Sequence, residues 1–262
     1  MVMMSFVKEH KPASSRRYTS RGTAEKRYSL EGSLLAASER LENSARRKYP
    51  PMEWIDLSVP LREGMPTYPG DQPFCLRPLL RIADGKGCNR SAIEMGTHTG
   101  THVDPPWHFI VDGITVDRLP LDLLIGKAYV ASVRARSAVT ASALESAHIP
   151  EGAERLLIQI DDSFGLWDQP DFQPDFVYLA PDAAEWIVKR NIRLVGIDYL
   201  PVEQFHAPEP RAHRTLLGAG VIIVDGLNLR ALEPGWVRFI CLPPCIEGSD
   251  GAPALGVARR ME

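Results

Sequence analysis

The apolar positions of this chain fall into short runs that stop on an acid. Positions 156–160 run into Asp161, 194–197 into Asp198, and 221–224 into Asp225. Runs this short, rich in Val, Ile and Leu, predict buried strands. Position 181 is a proline, and the stretch 181–190 after it reads as a helix with Asn191 at its end. Positions 140–148 read as a shorter helix, with Ser142 and Glu145 in capping-box spacing. Residues 126–134 and 54–58 read as further strands, and 64–71 as a loop broken by proline and glycine. Strands alternating with helices, their polar ends gathered at one sheet edge, predict an α/β layered fold.

Composition divides this picture in two. Residues 1–50 hold eleven Lys/Arg against five Asp/Glu, a balance of +6 that leaves −9 for the rest of a chain whose net charge is −3. That segment, with one amphipathic stretch at 34–47, reads as a disordered basic N-terminal extension, and its Arg and Ser content also fits a transit peptide. Residues 51–262 then form a single domain. An acidic domain argues against nucleic acid as its ligand. The longest aliphatic strand run, 221–224, is far too short for a bilayer, so no membrane partner is expected. Cys75, Cys88, Cys241 and Cys245 have no metal-ligand spacing. With no signal peptide recognisable, a reduced cytoplasm is the expected compartment.

The chemistry is concentrated between 98 and 108. That stretch reads His98-Thr99-Gly100-Thr101-His102-Val103-Asp104-Pro105-Pro106-Trp107-His108. Three imidazoles and a carboxylate are a ligand set for zinc, manganese or iron. The β-branched Thr99, Thr101 and Val103, Gly100 and the two prolines oppose a helix. In an extended chain His98, His102 and Asp104 share one face. A straight strand would hold the two histidine backbones about 13 Å apart. The chain should therefore kink, and Gly100 is the residue that tolerates it. The prolines would then aim His108 back toward the same place.

A metal site needs distant donors as well. His213 is one candidate, and His206 a weaker one in a proline-rich loop. His10 and His148 read as bystanders. Asp161, Asp198 and Asp225 all close buried strands, and composition does not choose among them.

The segment from His98 to Phe109 resembles the HxGTHxDxPxH signature of the cyclase family of metal-dependent hydrolases, which includes bacterial kynurenine formamidases and isatin hydrolases. Asp56-Leu57-Ser58, Tyr68-Pro69-Gly70-Asp71, Gly196-Ile197-Asp198, and the blocks 213–217 and 221–229 extend the resemblance over residues 52–258. The resemblance implies a swivelling β/β/α domain, and a homodimer or homotetramer in which a neighbouring subunit helps close the pocket. It implies that His98, His102 and Asp104 bind metal, with Asp104 able to bridge two ions, and that His108 donates and accepts the proton. His213 matches the family's distal histidine, and Asp225 falls where a glutamate is usual. Tyr68 stands where kynurenine formamidases place a substrate-contacting tryptophan. Pro201, Glu203 and Leu255 replace the serine, aspartate and arginine of many members.

The expected cofactor is a divalent metal, zinc first and manganese second, one or two ions per subunit. The expected reaction is cleavage of a C–N amide bond in a small aromatic substrate by activated water, an aryl formamide of the N-formylkynurenine class leading. Trp107 and Phe109 would supply flat apolar surface for it. The alternatives are a cyclic amide such as isatin, a lyase or true cyclase acting through an enolate, and a silent ligand-binding relative. A serine nucleophile and a nucleotide site are disfavoured, since GxSxG, P-loop and GxGxxG motifs are lacking.

Overall fold

A computed structural model describes residues 54–160 and 163–261. The expected disordered extension, the amphipathic stretch 34–47, His10 and Asp161 lie outside the described residues. The strands, in chain order, are β1 (Ile55–Asp56), β2 (Cys75–Leu80), β3 (Arg90–Glu94), β4 (His102–Asp104), β5 (Ile125–Val133), β6 (Ala138–Val139), β7 (Arg155–Ile160), β8 (Tyr178–Leu179), β9 (Leu194–Ile197), β10 (Ile222–Asp225), β11 (Gly235–Leu242), β12 (Ala252–Pro253) and β13 (Leu255–Arg260). The helices are α1 (Leu121–Leu124), α2 (Ala141–Ser146), α3 (Pro181–Lys189) and α4 (Arg211–Gly218).

Among the described residues nine strands form one mixed sheet in the order β1-β13-β11-β5-β7-β9-β10-β4-β12. Its centre, β5-β7-β9-β10, is parallel. The flanking pairs are antiparallel. Both faces of the parallel centre are covered, which is why β7, β9 and β10 are apolar at most positions. Ile158, Val195 and Ile223 pack on one face with Leu144, Ile187 and Leu216 of the helices. Leu157, Leu194 and Val224 pack on the other with Leu57, Leu227 and Phe239. The expected α/β layering is therefore present.

Local signals set the helix ends with one difference. α3 begins on Pro181, and Asn191, just past its end, takes a left-handed φ of 56°. α2 is capped by Thr140, whose hydroxyl accepts from the Ala143 amide at 3.2 Å. The chain leaves β6 extended at Val139, so the cap falls at Thr140, two residues before the Ser142 that the sequence spacing suggests. Among the described residues no helix is long and apolar enough to cross a membrane.

One pairing positions the site. β4 runs antiparallel to β10, with Asp225 opposite His102 and Ile223 opposite Asp104. Directly opposed residues project to the same face of a sheet, so this register sets Asp225 beside His102.

Candidate metal centre

Two glycine turns build the site. Gly100 has a φ of +66°, and Gly226, just beyond β10, has +73°. The Thr101 hydroxyl donates to the Gly226 carbonyl and accepts from the Val59 amide. A Cβ on Gly226 would sit 2.6 Å from the Gly100 carbonyl oxygen, so the Gly226 turn has no room for a side chain there. The kink brings the His98 and His102 rings to 5.1 Å between centroids. Pro106–His108 then forms a 3-10 turn that stacks the His108 ring on His98 at 4.0 Å.

His102 Nδ1 lies 2.8 Å from the Gly100 carbonyl oxygen. A carbonyl only accepts, so Nδ1 carries the proton and the lone pair of Nε2 points into the site. Asp104 is the hub. One of its oxygens lies 2.8 Å from His98 Nδ1 and 3.4 Å from His102 Nε2, and the other lies 3.8 Å from His213 Nε2. Among the described residues two triads of potential ligands share it, His98–Asp104–His108 and His102–Asp104–Asp225, each with its ligand atoms within 4.8 Å of one another.

The electrostatics are those of a site arranged for positive charge. Asp225 is buried, and neither carboxylate oxygen has a hydrogen-bond partner. Burial, then the charge of Asp104, push its pKa well above the usual carboxylate range, against the opposing charge of His98. Burial works the same way on Asp104, but His98 and His102 outweigh it and hold Asp104 well below that range. Burial also lowers His98, yet Asp104 and then Asp250 override it and raise that ring to about 9. His102 and His108 are both lowered to about 4, chiefly by burial. Two buried carboxylates side by side, one with both oxygens unpartnered, cost several kcal/mol unless a cation compensates them. The donor set of imidazole and carboxylate fits a divalent metal.

These residues form the floor of a cavity of about 440 Å³. His98, His102, Asp104, His108, His213, Asp225 and Tyr68 all line it. Tyr68 stands edge-on to Phe172 and Phe205 at 5.4 and 5.7 Å. Phe109 lines the cavity and stacks on His213 at 4.3 Å. Trp107, expected at the substrate, is not brought there: it is 42% exposed and outside the lining. Of the two aromatics, the one that faces the cavity is Phe109. Asp198 is also placed elsewhere, accepting from the Ile160 amide between parallel strands at 2.8 Å. His206 reaches the rim, and His148 is exposed at the end of α2.

Sequence reasoning missed two acids. Glu203, noted there only as a departure, accepts from the amides of Ala212 and His213 at 2.9 and 3.2 Å and lies 3.5 Å from His213 Nδ1. It thus caps α4, the helix that carries His213. It sits seven residues before the N-cap Pro210, outside any local capping window, so no sequence signal could have found it. Asp250 contacts His98 from the far end of the chain.

Fold and donor set together define a mixed α/β protein with a cation-ready cluster at one sheet edge. The chain belongs to the cyclase family: the family model "Cyclase" matches residues 55–204, more than half of its length. It is 34% identical to a kynurenine formamidase of Geobacillus thermodenitrificans over 209 residues, spanning 79% of this chain and 98% of that one. A solved structure described as a predicted metal-dependent hydrolase from Bacillus stearothermophilus is 30% identical, with a TM-score of 0.67 over 78% of this chain and 97% of its own. Isatin hydrolase A from Labrenzia aggregata, 24% identical, shares the fold with a TM-score of 0.66 over 80% and 94% of the two chains.

Proposed function

We propose that this protein is a metal-dependent amidohydrolase that cleaves the C–N bond of a small aromatic amide, an aryl formamide first. One observation carries the reading. Asp225, buried with both oxygens unpartnered, adjoins Asp104 amid imidazoles on the floor of an aromatic-walled cavity. The 34% identity to a kynurenine formamidase supports the choice of substrate.

His98, His102, Asp104, His213 and Asp225 would hold the metal, zinc first and manganese second, as one ion or as two sharing Asp104. Such an ion supplies a hydroxide-like nucleophile near neutral pH and polarises the carbonyl. His108 does the proton work. Burial keeps its ring neutral at pH 7, so it can take a proton from the attacking water and return it to the departing nitrogen. Phe109 and Tyr68 flank a flat substrate, and Trp107 has no part in this reading. Glu203 fixes the approach of His213 through α4.

A cytoplasmic homodimer or homotetramer extends the proposal. Leu76 and Ile93, paired across β2 and β3 and both exposed, offer apolar surface that a second copy would cover. Sizing by light scattering tests that part.

The test of function is direct. Purified protein loaded with zinc or manganese is assayed against N-formylkynurenine and isatin in water enriched in oxygen-18. Hydrolysis of the formamide with the label in the released formate is expected. If neither substrate is turned over with either metal, the reading fails. Turnover of isatin alone would replace the formamide with a cyclic amide, and an unlabelled product would favour a lyase.

A further inference from the structure

We infer that Asp250 is a positioning residue for the metal centre, acting through His98; this rests on the proposed function only in taking His98 as a ligand. His98 lies between two acids. Its Nδ1 is 2.8 Å from an Asp104 oxygen, and its Nε2 is 3.3 Å from Asp250 Oδ2. Asp104 belongs to the buried cluster, so Nδ1 faces the centre and Nε2 faces outward. An imidazole gives one nitrogen to a cation, and the N–H on the other side needs an acceptor that fixes tautomer and ring rotation. Asp250 is placed to be that acceptor.

The carboxylate is itself held. Its Oδ1 accepts from the Thr97 hydroxyl at 3.1 Å, so Asp250 grips two consecutive residues from 153 positions along the chain. The segment behind it is fastened at several points. The Gly248 amide donates to Asp117 at 3.0 Å, the Val116 amide donates to the Ser249 carbonyl at 3.0 Å, and the Ser249 hydroxyl donates to the Gly251 carbonyl at 2.7 Å. β12 then pairs with β4, Ala252 against Val103 and Pro253 against His102. Asp250 is therefore registered on the strand that carries His102 and Asp104.

Gly251 completes the arrangement. A Cβ there would lie 2.5 Å from the His98 ring, so the imidazole lies flat against bare backbone. With Asp250 at one edge, Asp104 at the other and His108 stacked on its face, the ring has one orientation. The Asp250 side chain is 45% exposed, and as an ion pair alone it would contribute little. Its effect is orientation, which reaches both the ligand and, through the stack, His108.

The test measures zinc affinity by chelator competition alongside kcat and KM. Asp250→Ala should weaken zinc binding about 10- to 100-fold, the range typical of lost outer partners of ligand histidines. Asp250→Asn should lose less, because its amide oxygen still accepts the N–H. Gly251→Ala, which crowds the ring without touching the carboxylate, should also weaken zinc binding. Circular dichroism checks folding, and the isosteric Asp250→Asn carries the test if the alanine variant does not fold. Parental affinity in Asp250→Ala and Gly251→Ala, in a parent that binds zinc and hydrolyses formamide, overturns this inference alone. A parent that binds no zinc overturns it together with the proposed function.

Discussion

His108 and Asp225 are both shifted by burial, but toward opposite uses. A general base must be neutral to accept a proton, and His108 is kept neutral down to about pH 4. Its folded pKa is lowered, so activity should fall only as pH drops below the ordinary histidine value of 6.5. The acid limb of kcat/KM is therefore expected well under 6.5, and a limb at or above it would remove His108 from the role. His108→Ala should lower kcat by about 10²- to 10⁴-fold, with the metal content by elemental analysis unchanged. Asp225 has a raised pKa, so its contribution to the stability of chelator-treated protein is present at low pH and lost as pH rises through that value. Asp225→Asn should thus raise the Tm of chelator-treated protein at pH 7 while weakening metal binding. A fall in both would mean that the carboxylate has a structural partner.

Gly100 and Gly226 act at the level of elements, because Gly100 leads into β4, Gly226 follows β10, and the Gly226 turn packs directly on the Gly100 carbonyl. Gly226→Ala would force a left-handed φ on a residue with a Cβ, at about 1–2 kcal/mol. It would also drive that Cβ into the Gly100 carbonyl, the acceptor for His102 Nδ1. Backbone cannot give way as a flexible side chain can, so β4 and β10 should separate at this end. The expected result is a lower Tm together with a loss of metal affinity. Gly220 has a similar φ of +75° with nothing near its would-be Cβ, so Gly220→Ala should lower the Tm without affecting metal binding. Equal losses of metal affinity in the two variants would show that strain alone, rather than the contact between turns, sets the site.

Across the whole molecule, the site joins segments distant in sequence: 98–108, the Glu203 loop, α4, the end of β10 and the segment at 250. A ligand that binds only this assembled state stabilises it by about 2.7 kcal/mol at a hundredfold excess over its Kd. Chelation should therefore lower the Tm by several degrees, and zinc added back should restore it. An unchanged Tm on chelation would mean that the cluster holds no tightly bound ion. The same assembly explains why α/β layering was legible in the chain while strand order was not. Runs such as 156–160 announce burial on both faces, but nothing local says that β4 lies against β10 rather than beside β3.

The chain by itself determined the dense ligand segment, the kink at Gly100 and the return of His108, because those depend on φ preferences and side-chain chemistry within eleven residues. It also marked three aspartates at strand ends as equals. The tertiary structure supplies the physical reason for the choice of Asp225 that the family resemblance implied: Asp198 is bonded to a neighbouring strand, whereas Asp225 is set beside His102 by an antiparallel register. Of the two aromatics expected at the substrate, tertiary contact alone kept Phe109 in the cavity and left Trp107 outside it, and it brought Glu203 and Asp250 to the histidines they orient. Backbone preference acts between neighbours and is written locally, whereas partnership between distant side chains exists only once the sheet has set its order and register.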